Sequence, residues 1–232
     1  MASMLDEIVI TDGNRQAFET ILSIGREHEG FVELFVWGSP GTGKSTVVHA
    51  RGRERDLLAP RRIVSCHAGE IVAVLQSGAN DEFLNRIGEA DVLLLDGVDR
   101  FVDAGELGAE ICRLLLTQRK RAGLDTVVVS DVPLEEIASE KIREALADFS
   151  AVEVKPLDAQ GLRQFAERIQ NSFVGKSADI ARLNDDVLDF IAQDFAQNAA
   201  DVRNALRFLF TEISEEERGA ITREKVTELL GV

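Results

Sequence analysis

One octapeptide in the first fifth of the chain constrains the fold more than any other feature of the sequence. The segment Gly38-Ser39-Pro40-Gly41-Thr42-Gly43-Lys44-Ser45 matches the phosphate-binding pattern G-x-x-x-x-G-K-[ST] at every fixed position. The pattern requires a buried strand before the loop and a helix after it, because loop N–H groups and the helix amino end face the phosphates together. The apolar run Leu34–Trp37 precedes the loop, and a helical pattern begins at Lys44. The context that the motif needs is therefore present.

This motif predicts that the chain binds a nucleoside phosphate, ATP or ADP, together with Mg²⁺. The residues expected to hold the nucleotide are Gly38, Ser39, Pro40, Gly41, Thr42, Gly43, Lys44, Ser45 and Thr46. Lys44 is expected to reach the β- and γ-phosphates, and Ser45 offers a hydroxyl oxygen to the metal. A second metal ligand is predicted at Asp96, because an apolar strand pattern ends in this carboxylate, as in a Walker B strand. We also expect Asp96 to take part in catalysis.

The position after Asp96 bears on whether ATP is cleaved as well as bound. Active NTPases of this layout usually carry a second acid there, which positions the attacking water. Here the residue is Gly97, and Asp99 lies two positions further on. Whether Asp99 turns back toward the γ-phosphate is open at the level of sequence. We therefore expect nucleotide binding with weak or absent hydrolysis.

Short apolar runs alternate with amphipathic stretches as far as Val154. The runs predict five strands, at Val32–Trp37, Ile63–Cys66, Val92–Asp96, Thr126–Ser130 and Ala151–Val154. The stretches predict helices at Ala17–Arg26, Lys44–Arg55, Gly69–Gln76, Asp81–Ile87, Leu107–Arg121 and Glu140–Asp148. Strands that alternate with helices indicate an α/β fold of the P-loop NTPase class, with a parallel sheet covered by helices on both faces.

The pattern changes to helices alone after Pro156. Four helices are predicted, at Ala159–Phe173, Asp185–Gln197, Ala200–Ile213 and Arg223–Leu230. Asp185 and Thr222 stand at positions expected of N-caps. The sequence thus predicts a nucleotide-binding α/β domain over residues 1–155 and a small helical lid domain over residues 156–232.

Composition limits the classes of partner. With 26 Lys and Arg against 41 Asp and Glu, the net charge is −15, which repels nucleic acid. No apolar run reaches the ~20 residues of a membrane-spanning helix, and we expect a cytoplasmic protein. Cys66 and Cys112 are interpreted as buried thiols. A basic cluster is interpreted as a solvated helix end, with a DNA patch as the alternative; its members are Arg51, Arg53, Arg55, Arg61 and Arg62.

Taken together, these motifs resemble the AAA+ ATPases, and within them the bacterial DnaA/Hda group of replication initiators. Besides the P-loop, the resemblance rests on Ile8–Ala17, the stretch Ile63–Phe101, Val128–Asp131 and Asp201–Leu206. It implies that Asp131 is the sensor 1 residue near the γ-phosphate and that Arg203 is the sensor 2 arginine that reaches the nucleotide. The alternatives are a turn or helix cap for Asp131 and a solvated helix face for Arg203.

Two further departures from the family pattern accompany Gly97. The family places an arginine finger before a Phe after sensor 1, whereas here Asp148 precedes Phe149, with Arg143 upstream. A carboxylate there would repel the γ-phosphate of a neighbouring subunit. The segment Val102–Glu106 also lacks the basic residues that initiators use for single-stranded DNA.

The resemblance implies a module that binds ATP or ADP and acts in bacterial replication initiation or its regulation, with the nucleotide as a conformational switch. The expected partner is another AAA+ protein, an initiator or a second copy, with weak DNA contact and no membrane contact. The alternative is an ATP-hydrolysing helicase or transposase loader of the DnaC/IstB type, in which Asp99 or a partner supplies the missing groups.

Overall fold

A computed structural model describes residues 4–25, 31–53, 61–77, 81–174 and 182–231. The chain divides into two compact units. The sheet unit comprises Asn14–Pro40 and Lys44–Val154, and the helical unit comprises Met1–Gly13, Gly41–Gly43 and Lys155–Val232. Within the described residues, no helix is both long enough and apolar enough to span a bilayer.

A five-stranded parallel sheet forms the centre of the sheet unit, as the sequence predicts. The strands are β1 (Glu33–Trp37), β2 (Ile63–His67), β3 (Val92–Asp96), β4 (Asp125–Ser130) and β5 (Ser150–Glu153), in the order β2-β3-β4-β1-β5. All residues of β3 and β4 are buried, since helices cover both faces of a parallel sheet. The carboxyl ends of β1, β3 and β4 therefore meet at one edge of the sheet, and we call this the carboxyl edge.

The described part of the sheet unit contains six α-helices. They are α1 (Arg15–Ser23), α2 (Lys44–Arg53), α3 (Ala68–Gln76), α4 (Asp81–Gly88), α5 (Gly105–Ala122) and α6 (Glu140–Leu146). Two 3-10 segments, Val98–Ala104 and Leu134–Glu136, follow β3 and β4. One apolar core contains Phe35, Leu93 and Val128 from the sheet together with Leu116 of α5.

Both cysteines belong to this core as free thiols. Burial raises the pKa of Cys66 to about 12 and raises that of Cys112 as well. The thiolate, which is the reactive form, is therefore scarce at neutral pH. The interpretation of Cys66 and Cys112 as buried, unbridged thiols is confirmed.

The helical unit contains α7 (Ala159–Val174), α8 (Asp185–Phe190), α9 (Ala199–Glu212), α10 (Glu215–Arg218) and α11 (Arg223–Leu230). A 3-10 turn, Met4–Glu7, also belongs to it. The predicted helix Asp185–Gln197 is shorter than expected, because α8 passes into a π-helical turn at Ile191–Phe195. The unit has its own apolar core, which includes Leu162, Ile169, Val187 and Leu206.

One of the two predicted N-caps is wrong. The cap of α8 is Asn184, whose side-chain oxygen accepts from the Val187 N–H at 3.0 Å. Asp185 is already helical, and its carboxylate pairs with Arg163 at 2.8 Å instead. Thr222 does cap α11, and its hydroxyl oxygen accepts from the Lys225 N–H.

Candidate phosphate-binding site

The loop between β1 and α2 adopts a conformation that its glycines permit. At Gly38 a Cβ would lie 2.3 Å from the Val154 carbonyl oxygen, so no larger residue fits without movement. Gly41 and Gly43 have φ angles of +82° and +92°, in the region that favours glycine. Of the other loop residues, Ser39 and Pro40 are exposed and Thr42 is buried. Ser45 and Thr46 lie in the first turn of α2, with Ser45 exposed and Thr46 half-buried.

Lys44 is buried at the start of α2, with only 3% of its side chain exposed. Its ammonium donates to the carbonyl oxygens of Gly38 at 2.6 Å and Ser39 at 3.0 Å. It also pairs with the Asp131 carboxylate at 3.0 Å. An ammonium held by loop carbonyls at a helix amino end is placed to bind an anion that enters the loop.

Asp131 follows β4, and its carboxylate contacts cations of this site. Besides Lys44, the Arg100 guanidinium lies 4.0 Å from the other carboxylate oxygen. The 3-10 segment Leu134–Glu136 begins after Pro133 without a side-chain cap. These contacts favour the interpretation of Asp131 as a residue of the phosphate site over that of a cap.

Asp96 ends β3 and is 5% exposed. Burial by itself raises the pKa of this carboxyl, but hydrogen bonds from His49 and Ser45 outweigh burial and hold the pKa below its ordinary value. The ion pair joins His49 Nε2 to Asp96 Oδ2 at 3.4 Å, and the bond to Asp96 raises the pKa of His49. A hydroxyl and an ionised carboxylate side by side are oxygen donors of the kind that Mg²⁺ prefers, so these residues fit the metal.

Gly97 begins the segment after β3 in the left-handed conformation, with φ 71° and ψ 45°. The segment turns Asp99 toward β4, where its carboxylate accepts from the Asp131 N–H at 3.3 Å. Arg100 Nε lies 3.5 Å from the same carboxylate. The Asp99 carboxylate thus holds the backbone of Asp131, and its approach to a γ-phosphate stays a prediction.

Three other predicted positions have partners in the structure. Arg203, in the helical unit, pairs with Glu7 at 2.8 Å and stacks over the Phe165 ring. Asp148, at the position of the arginine finger, pairs with Lys120 at 2.5 Å. The upstream Arg143 donates to the Ile137 carbonyl oxygen. Contact of Arg203 with a nucleotide stays a prediction.

The interpretation of the basic cluster as a solvated helix end is wrong for Arg51. Its side chain is fully buried and donates to the Ile24 carbonyl oxygen at 2.7 Å and 3.1 Å. Arg61 pairs with the buried Asp125 at 2.6 Å, whereas Arg53 and Arg62 are exposed. Arg55 lies outside the described residues. The cluster therefore does not form one basic surface.

Sequence reasoning missed His49 and Arg100. The sequence could have indicated that His49 lies beside Ser45. His49 stands four residues after Ser45 on α2, and side chains at this spacing share a helix face. Both side chains accordingly reach Asp96. Arg100 has no comparable signal, since its position depends on the 3-10 turn that follows Gly97.

Comparisons with known proteins show similarity to bacterial DnaA proteins. The model of the bacterial DnaA ATPase domain matches residues 2–148. The chromosomal replication initiator protein DnaA of Thermomicrobium roseum is 24% identical over 211 residues, which cover 87% of this chain and 43% of that protein. The chain thus spans less than half the length of this curated relative.

Solved structures show the same fold. Domain III of the Thermotoga maritima replication initiation protein DnaA superposes with a TM-score of 0.81 at 19% identity, covering 97% of this chain and 94% of that one. AMPPCP-bound DnaA from Aquifex aeolicus gives a TM-score of 0.76 at 20% identity, with coverages of 97% and 69%.

Proposed function

The chain belongs to the family of the bacterial DnaA ATPase domain, and on this premise we propose that it binds ATP or ADP with Mg²⁺ and hydrolyses ATP weakly or not at all. Its proposed role lies in bacterial chromosomal replication initiation or its regulation, with the bound nucleotide as a conformational switch. The observation that carries the proposal is the buried Lys44 ammonium, which is held at the amino end of α2 beside Asp131.

In this proposal each group at the carboxyl edge has a defined task. The loop N–H groups and the amino end of α2 receive the phosphate oxygens, while Lys44 exchanges its bond to Asp131 for the β- and γ-phosphates. Ser45 and Asp96 hold Mg²⁺, with Asp96 kept ionised by its hydrogen bonds. When bound, Mg²⁺ would supply positive charge against the phosphates. His49 orients the Asp96 carboxylate.

Three positions support weak hydrolysis. Gly97 offers no side chain to position or deprotonate water. At the expected finger position, the Asp148 carboxylate is paired with Lys120, so it presents no cation to a neighbouring subunit. Asp99 is engaged with the Asp131 backbone. A nucleotide held by the intact loop would then persist long enough to act as a switch.

The proposed partner is another AAA+ protein, either an initiator or a second copy of this chain. The names of the curated relatives support a place in replication initiation. The net charge of −15 argues against strong contact with DNA by this part of the chain alone.

Nucleotide-dependent thermal unfolding tests the proposal. A ligand that binds only the native state stabilises it by about 2.7 kcal/mol at 100 times its dissociation constant, so we expect the melting temperature to rise with the concentration of Mg²⁺ and ATP. Lys44→Ala should abolish the rise. Lys120→Ala, which removes an exposed lysine paired with Asp148, is the matched control and should keep it. An absent rise, or an equal rise in Lys44→Ala, would contradict nucleotide binding at this loop.

A further inference from the structure

His67 ends β2 and lies directly opposite Asp96 in the register between β2 and β3. A reciprocal capping box fixes its position. The imidazole Nδ1 accepts from the Gly69 N–H at 2.9 Å, and the Glu70 carboxylate accepts from the His67 N–H at 3.3 Å. Because the ring itself caps α3, it is held by the backbone and does not swing freely.

The free edge of this ring faces Gly97. A Cβ at position 97 would lie 2.7 Å from His67 Nε2, 3.1 Å from Cε1 and 3.3 Å from Cδ2. The first distance is too short for any side chain unless the ring moves. The φ of 71° at Gly97 adds a second restriction, because a residue with a Cβ is strained there. The imidazole thus occupies the space in which a side chain of residue 97 would begin.

The ring also brings a particular chemistry to that space. A neutral imidazole that accepts at Nδ1 carries its proton on Nε2, so Nε2 is a donor. Cleavage of ATP by water needs a group that accepts a proton from the attacking water or orients it as an acceptor. At the position next to Asp96, His67 therefore presents a hydrogen-bond donor where hydrolysis needs an acceptor.

We propose that His67 keeps position 97 closed to a water-activating side chain, because its capped imidazole fills the space in which such a side chain would begin and presents a hydrogen-bond donor there. The inference rests on the proposed function, since it concerns the fate of ATP bound at the same loop. His67 acts here as a positioning residue, through space that it fills, and not as a catalytic residue.

The ring excludes base-assisted attack of water on the γ-phosphate of ATP. The oxygen of a water bonds to the γ-phosphorus while the bond from that phosphorus to the β,γ-bridging oxygen breaks. A carboxylate on residue 97 would take the proton of the water, and ADP and inorganic phosphate would leave. The inference predicts that a carboxylate at position 97 performs this role only after the ring of His67 is removed.

A pair of substitutions tests this. Gly97→Asp supplies a carboxylate, and Asp tolerates a positive φ better than most residues. His67→Ser removes the ring but keeps an N-cap for α3, since Ser is a favoured cap. The two single variants, the double variant and the parent are compared by steady-state release of phosphate from Mg²⁺-ATP. The double variant His67→Ser with Gly97→Asn is the matched control, because Asn has the shape of Asp without its charge.

We expect each single variant and the Asn control to stay near the parent rate. The His67→Ser, Gly97→Asp double variant should exceed it by at least about tenfold, below the roughly 10²- to 10⁴-fold range of a well-positioned base. A rate in Gly97→Asp alone that equals the rate of the double variant would overturn the inference, and so would a double variant at the parent rate.

Two further measurements keep the test decisive. Binding of a fluorescent ATP analogue is measured in every variant. Failure of the parent to bind would count against the proposed function, whereas binding without the gain in turnover would count against the inference alone.

Gly97→Ala is also compared in the parent and in His67→Ser. This substitution should lower the melting temperature less in His67→Ser than in the parent. An equal fall in both would show that the ring does not obstruct position 97.

Discussion

The two edges of the same parallel sheet use charged side chains in opposite ways. At the amino edge, where the strands begin, the Asp125 carboxylate is fully buried and accepts from Arg61 at 2.6 Å and from the Val32 N–H at 2.8 Å. At the carboxyl edge, Lys44 pairs with Asp131, a carboxylate that is 39% exposed. The carboxylate at the amino edge is thus closed to solvent, whereas the carboxylate at the carboxyl edge is partly exposed.

Arg119 shows the amino-edge arrangement most fully. Its buried guanidinium donates to the carbonyl oxygens of Ile87, Gly88, Ala90 and Asp125 and to the Thr126 hydroxyl. Burial lowers the pKa of Arg119 to about 10, so it stays charged at neutral pH. Backbone partners cannot leave without unfolding, whereas in the proposed function the Asp131 carboxylate would be exchanged for a phosphate. On this proposal the amino edge stabilises the fold and the carboxyl edge binds the ligand.

The largest expected effect is at the amino edge. Arg119→Met should lower the free energy of unfolding by about 3–5 kcal/mol, because it leaves buried carbonyl oxygens without a donor. Urea unfolding measures the loss, and Arg121→Met, on an exposed residue of the same helix end, should change stability by less than about 0.5 kcal/mol. A loss below about 1 kcal/mol in Arg119→Met would break the contrast between the two edges.

A smaller effect is expected at Asp96. Asp96→Asn should weaken the binding of Mg²⁺-ATP by about tenfold, or about 1.4 kcal/mol, because an amide is a poorer metal ligand than a carboxylate. Affinity for ATP in EDTA should not fall. Titration with a fluorescent analogue measures both constants. Equal weakening with and without Mg²⁺ would show that Asp96 is not a metal ligand. Asp99→Asn is the matched control, and its affinity for ATP should depend on Mg²⁺ as it does in the parent protein.

The smallest effect is expected at Asp131, where a substitution should raise the affinity for nucleotide and not lower it. Asp131→Asn removes a carboxylate that competes with phosphate for Lys44, so the affinity for nucleotide should rise by up to about fivefold, as expected for a partly exposed ion pair worth up to about 1 kcal/mol. The same titration checks it. A fall in affinity for ATP alone would instead mean that the Asp131 carboxylate supports the γ-phosphate.

Much of the carboxyl edge is predictable from sequence because its elements are local. The P-loop, the start of α2 at Lys44 and β3 with its terminal Asp96 each depend on neighbours in the chain, and the structure has these elements there. The predicted cap of α8 is wrong by one residue. Asn184 and Asp185 are both favoured residue types for an N-cap, and only their backbone angles decide which of them caps the helix.

Contacts across long stretches of sequence could not be predicted. The approach of His67 to Gly97 depends on the register of β2 against β3 and on the left-handed turn at Gly97. The burial of Arg51 depends on the Ile24 carbonyl, 27 positions away. Periodicity reports which face of an element is apolar, but it does not report which element lies opposite.

In the proposed function this site holds ATP and cleaves it weakly or not at all. The most direct measurement is the identity of the nucleotide recovered from the protein after incubation with labelled ATP and Mg²⁺, with Lys44→Ala as the background. We predict that most of the nucleotide recovered from the parent protein is ATP. Recovery of mainly ADP from the parent protein, with none formed in Lys44→Ala, would contradict the proposed function.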